Sequence, residues 1–141
     1  MEQNACIECK NTNCLFKSSL SRYPKEIEKF NIKSGINVYL ENMQVKGLYV
    51  VQNGSIHEYF INRKGRKEIG NSAKNGEIFG HKDFNATKHL FSAVAIEKSS
   101  ICLIDKSTLM EVCKNNLELS IKLIYFFSDE LNKSDKKYSI I

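Results

Sequence analysis

Apolar and polar residues alternate with a period of two through most of this chain, and toward its end the period lengthens to that of a helix. Ile36, Val38 and Leu40 alternate with Asn37, Tyr39 and Glu41, which predicts a half-buried strand with the aliphatic side chains inward. Leu48–Gln52 and Ser55–Ile61 flank Asn53-Gly54, a strong hairpin signal because both turn residues tolerate positive φ. Asn62–Arg66 is a charged turn with a glycine, followed by a strand over Lys67–Ala73. Asn75-Gly76 is another turn, and Ile78-Phe79-Gly80 a short strand or bend. Residues 81–90 read as a polar loop or a single helical turn. Ser92–Glu97 and Ser100–Ile104 alternate again. Short strands punctuated by glycine turns predict an antiparallel sandwich or jelly roll.

Helices are expected at both ends. Leu20, Ile27 and Phe30 have a weak helical spacing, and Pro24 suits a first turn, so a helix is expected over about 24–30. Asp105, Ser107 and Thr108 offer capping oxygens to a short helix ending near Lys114. A longer helix is expected over about 117–134. Its apolar residues form a stripe of Leu117, Ile121, Ile124 and Leu131, widened by Leu119, Leu123, Phe126 and Phe127. That is more apolar face than one small sheet covers, which predicts a homodimer with Leu117, Ile121, Ile124, Phe127 and Leu131 at its interface.

Composition narrows the class. With 141 residues, 42% of them hydrophobic and 26% charged, the chain is long enough for one domain and too apolar to be disordered. No apolar run approaches the length of a membrane span, and the N-terminus lacks the basic and apolar regions of a signal peptide. The cytoplasm is the expected location. A net charge of +5 is explained by solubility as well as by nucleic acid. The basic run Arg63–Lys67 falls on an expected hairpin tip, where solvated charge is normal. No phosphate-binding glycine loop, nucleophile elbow or zinc-protease helix motif occurs, and no enzyme activity is expected.

The five cysteines are informative through their placement. Cys6, Cys9 and Cys14 have C-x2-C-x4-C spacing, while Cys102 and Cys113 lie far downstream. An odd number without a signal peptide argues against a disulfide framework. Thiolates at short spacing suit zinc or an iron–sulfur cluster. Cys102 alternates with Ile101 and Leu103, so its side chain takes the face opposite theirs. Cys113 reads as a helix thiol in or near the core.

The order of elements and three motifs resemble the sensor domain of the catabolite activator and fumarate–nitrate reduction regulator superfamily, the Crp/Fnr type. Gly47-Leu-Tyr-Val-Val-Gln-Asn-Gly54 is similar to its strand-and-turn motif, and Asn75-Gly-Glu-Ile-Phe-Gly80 to its bend. Ser92-Ala93 and the strand-to-helix step over Ser100–Ser107 are similar to the family's later elements. The resemblance runs from about Leu15 to Leu131. It implies a mainly β chain with flanking helices: a double-stranded β-helix (jelly roll) of the cyclic-nucleotide-binding type, then a short helix and a long dimerisation helix. The expected division is a cysteine-rich segment over 1–15, the β-roll over 16–114, and the dimerisation helix and tail over 115–141. No helix-turn-helix domain is expected here, so DNA would be reached only through one outside this chain.

In that family a carboxylate directly after the bend grips a ribose, and an arginine before the Ser-Ala pair holds a cyclic phosphate. Here those positions are His81 and Phe91. Phenylalanine cannot neutralise a phosphate, although Lys82 and Lys88 are nearby. The residues for a small-ligand pocket are Phe79, Gly80, His81, Phe91 and Ser92. The resemblance to oxygen-sensing members implies a [4Fe–4S] cluster on Cys6, Cys9, Cys14 and Cys102, with the last N-terminal gap one residue shorter than is common there. Zinc, or no metal, is the alternative, and the sequence leaves Cys113 open in place of Cys102 as the fourth ligand.

Overall fold

In the computed structural model, residues 14–16 and 27–138 are described, and of residues 134–138 only the helical backbone. Eight strands and two helices succeed one another. The strands are β1 (Ile27–Ile32), β2 (Asn37–Tyr39), β3 (Gly47–Asn53), β4 (Ser55–Ile61), β5 (Lys67–Lys74), β6 (Ile78–Phe79), β7 (Ser92–Ala95) and β8 (Ser99–Asp105). The helices are α1 (Lys106–Asn115) and α2 (Leu117–Tyr138). One antiparallel sheet has the order β1-β8-β3-β6 and the other β2-β7-β4-β5, the jelly-roll-like arrangement expected.

Alternation explains which residues go where. On β3, Tyr49 and Val51 point between the sheets, while Leu48 and Val50 point to the outer face of the first sheet. On β8, Ile101 and Leu103 take the inside and Cys102 and Ile104 the outside. The first sheet is therefore covered on both faces. Its outer face is roofed by Leu109 and Val112 of α1, Leu119 and Leu123 of α2, and Phe16. This two-sided burial is why β3 is a continuous apolar run.

Turn chemistry fixes the register. Gly54 joins β3 to β4 at φ 121°, and an added Cβ would collide with Ser99, so only glycine fits there. Asp105 caps α1 by accepting from the Thr108 amide at 2.8 Å. Burial of the Asp105 carboxyl pushes its pKa up, but hydrogen bonds from Thr108 and Ser107 outweigh this and hold it below 3.8. Asn116 breaks the two helices apart in an extended conformation, and its side chain caps α2 at the Leu119 amide, 3.0 Å away.

Two expectations are corrected. Within the expected helix over 24–30, residues from Ile27 onward are strand: β1 runs antiparallel to β8, with Ile27 opposite Ile104 and Ile32 opposite Ser99. Ile27 and Ile32 have opposite parity, so they serve the two buried faces of one sheet, a pattern that imitates helical spacing. The rest of that expected helix, with Leu20 and Pro24, lies outside the described residues. The phase of β2 is also reversed. Tyr39 is buried, whereas Ile36 and Leu40 are 53% and 48% exposed. The Tyr39 ring lies against Tyr49, Phe79 and His89, and this aromatic packing outweighs the aliphatic alternation.

Candidate functional site

The loop between β6 and β7 is pinned at both ends. It begins at Gly80, whose positive φ of 75° and close approach to Tyr49 and Tyr39 leave little room for a Cβ. The Gly80 amide donates to Glu58 Oε1 at 3.2 Å. At the other end the His89 amide donates to the Met43 carbonyl and the Asn42 amide to the His89 carbonyl, each at 2.9 Å. Lys106 reaches up to hold the Ala86 carbonyl at 3.1 Å.

The loop is polar in sequence, and three of its polar side chains turn inward while Lys82, Asn85, Thr87, Lys88 and Leu90 stay exposed. His81, Asp83 and His89 are all buried. Asp83 Oδ2 lies 3.1 Å from His89 Nδ1 and accepts from the Leu90 amide at 3.2 Å. The His89 ring stacks on Tyr39 at 3.6 Å between centroids and 8° between planes. Desolvation, reinforced by the charges of Glu58 and Asp83, pushes the Tyr39 phenol far above its ordinary value. Tyr49 is pushed up to about 12, first by burial and then by Glu28. Tyr39 Oη, Asp83 Oδ1 and His89 Nε2 have no hydrogen-bond partner among the described residues.

The residues expected to line a ligand pocket divide between two surroundings. Phe79 is fully buried between the sheets, against Tyr49. His81 turns to α2, its ring 5.0 Å from Phe126 and 6.0 Å from Phe127. Phe91 turns the other way, meeting Phe60 of β4 edge-on at 5.6 Å, with Gly70 of β5 behind it. Ser92 accepts from the Glu41 amide at 2.8 Å. Asp83 and Ser92 thus bond the chain's own backbone, and the position that would need a cation holds an aromatic packed on an aromatic.

The cysteines lie elsewhere. Cys14, Cys102 and Cys113 are half-buried, and all three pack against the apolar cluster on the outer face of the first sheet. Phe16, two residues after Cys14, is fully buried in that cluster. Leu15 between them lines a cleft of about 270 Å³ with Ile78, Phe126, Asp129, Glu130 and Lys133. Cys6 and Cys9 lie outside the described residues, and among the described residues no three metal-binding side chains gather.

On α2 the two faces separate as expected from sequence. Leu119 and Leu123 are buried in the domain. Leu117, Ile124 and Leu131 are 65–75% exposed and Ile121 is 40% exposed. Phe127 is half-buried, with its ring toward Phe126 and His81. No helix among the described residues is long and apolar enough to cross a membrane.

Sequence reasoning missed the buried Tyr39, Glu58, Asp83 and His89, and the half-buried Glu130 that faces His81. For Glu58 the signal was present, since it shares the parity of the buried Ile56 on β4. For the loop there was none, because irregular backbone has no period to read.

A family model described as "Cyclic nucleotide-binding domain" matches residues 29–116. Over 128 residues the chain is 24% identical to the fumarate and nitrate reduction regulatory protein of Vibrio cholerae, covering 90% of this chain and 51% of that one. Over 100 residues it is 25% identical to electron transport regulator A of Shewanella oneidensis, covering 71% and 40% respectively. The chain therefore spans about half or less of the length of these curated relatives. The fold is similar to that of the Thermus thermophilus catabolite activator protein, with a TM-score of 0.75, 15% identity, and 94% of this chain and 60% of that one covered. The chain belongs to the cyclic nucleotide-binding domain family, in the form found in Crp/Fnr-type regulators.

Proposed function

We propose that this domain is the oxygen- or redox-sensing part of a Crp/Fnr-type transcription regulator and holds a [4Fe–4S] cluster on Cys6, Cys9, Cys14 and Cys102. The observation that supports this reading is the shared face of Cys14 and Cys102. Both thiols border the same apolar cluster, as Cys113 also does, although 88 residues of chain separate them, and Phe16 anchors the N-terminal segment there. The part of the donor set that lies within the described residues is thus consistent with one site, and four thiolates are the donors such a cluster takes. When bound, the cluster supplies an oxidisable centre whose loss releases its thiolates.

The chain's own residues carry that change to α2. Phe16 fills the roof of the first sheet beside Leu119 and Leu123, and Leu15 meets Phe126 and Glu130 across the cleft. A segment freed of its thiolate bonds gives up this packing, and α2 loses support on its inner side. The exposed stripe on the opposite side, Leu117, Ile121, Ile124 and Leu131, fits a second copy of the chain. DNA contact belongs to a reader domain outside these residues. Purification without oxygen, with an absorption spectrum and iron, sulfide and zinc analysis on one sample, tests the proposal. Broad visible absorption with iron and sulfide in comparable amounts is expected. A colourless protein that takes up no iron on anaerobic reconstitution contradicts it, and zinc alone points to a structural site.

A further inference from the structure

We propose that His81 is a proton-operated latch between the Gly80 bend and helix α2. The residue sits where the loop leaves β6, and its side chain is 1% exposed. One side of its ring is closed by Phe126 and Phe127 of α2, whose own rings meet edge-on at 5.4 Å. Nε2 lies 3.3 Å from Glu130 Oε2, within ion-pair reach but off the line that a hydrogen bond needs. Nδ1 has no partner among the described residues. The bend itself is held from β4 by Glu58 through the Gly80 amide. His81 is therefore the loop's buried contact with the helix, made of apolar ring packing and one nearby carboxylate.

Such a place suits an uncharged imidazole better than a charged one. The charged groups that bear on it are Glu58 from β4, Glu130 from α2 and Lys82 from its own loop. Lys133 draws on Glu130 from behind, with Nζ 3.6 Å from Oε1. Burial is the largest influence and holds His81 below its ordinary 6.5; the two carboxylates oppose this and Lys82 adds to it. A histidine with a lowered folded value binds its proton more readily once it is exposed. The latch is therefore fully closed above the ordinary histidine value and loosens as pH falls below 6.5 toward the lower folded value. The proton comes from solvent, and the imidazolium gains water on Nδ1 when the bend parts from α2. Leu15 reaches the same turns of α2, at Phe126 and Glu130, so acidity would be a second input to the helix that needs none of the cysteines.

Imidazole NMR titration and amide exchange along α2, on the full chain and corrected for intrinsic exchange rates, test this. In the unmodified protein His81 titrates below 6.5, and amides from Leu123 to Glu130 lose protection as pH falls from 6.5 to the His81 midpoint and then level off, by at most about tenfold per pH unit. His81→Phe keeps the ring packing and abolishes the pH dependence of the helix. Glu130→Gln moves the His81 midpoint and the lower end of the helix window to lower pH together, and it carries the test if His81→Phe does not fold. A His81 midpoint at or above 6.5 overturns the proposal. So does pH-dependent helix protection that survives His81→Phe, or a helix window whose lower end stays in place when Glu130→Gln moves the His81 midpoint.

Discussion

Helix α2 is approached from two sides by opposite chemistry. On the outer face of the first sheet, Phe16, Leu48, Val50, Ile104, Leu119 and Leu123 make an apolar contact with thiols at its margin. At the β6–β7 loop, His81 and Glu130 make a contact of ionisable groups among aromatic rings. The first is a packing joint, costly to thin but indifferent to pH. The second is a joint around an uncharged imidazole, whose strength depends on protonation. The comparison shows one scaffold in which an apolar core stands beside a loop that turns three polar side chains inward. Phe91 stands where a cation would be needed, and it is used for packing.

The largest effect is expected on the apolar side. Phe16→Ala should destabilise by about 3–5 kcal/mol in urea unfolding, because it empties a fully buried aromatic site. Ile124→Ala, on the exposed side of α2, should change stability by less than about 0.5 kcal/mol and weaken self-association instead. A small effect at Phe16 would mean that the N-terminal segment is not part of this joint. Next comes the loop. Asp83→Ala removes the acceptor for the Leu90 amide and the partner of His89, and should cost about 2–4 kcal/mol, with Asp83→Asn milder.

A smaller effect belongs to the connection between the sheet and α1. Asp105→Ala should cost about 1 kcal/mol, the usual value of a lost helix cap. The Asp105 carboxyl is held below its ordinary value, so the cap's contribution is present above about pH 4 and fades as pH falls through the lower folded value. In the unmodified chain it should therefore weaken in strong acid, and in Asp105→Asn that part of the pH dependence should vanish. The smallest expected effect is that of cyclic AMP. At millimolar concentration it should stabilise the chain by less than about 0.4 kcal/mol, the gain at half-saturation. A larger shift in melting would mean that the loop still takes the nucleotide despite Phe91.

The parts of the fold that were readable were those with a period and a punctuating turn. β3, β4 and β5 lie within a residue of where alternation and the Asn53-Gly54 and Asn62–Arg66 turns put them. The two faces of α2 followed from its surplus of apolar positions; parity set Cys102 on the face opposite Ile101 and Leu103, but only the roof of helices shows that this face is the outer one. The unreadable parts depended on contacts distant in sequence. β1 is a strand because β8, some 70 residues away, supplies its partner groups. β2 is phased by a stack on His89, 50 residues later. His81, Asp83 and His89 lie in a stretch with the composition of a solvated loop, and only contacts with β2 and α2 make them interior.

The central claim is that the thiol facing outward from β8 completes the N-terminal trio. It is tested most directly by measuring iron and sulfide per chain in anaerobically reconstituted unmodified protein, Cys102→Ala and Cys113→Ala. The account predicts iron and sulfide in comparable amounts in the unmodified protein and in Cys113→Ala, with loss of both in Cys102→Ala. A Cys102→Ala protein that retains its iron, or an unmodified protein that never acquires any, would contradict it.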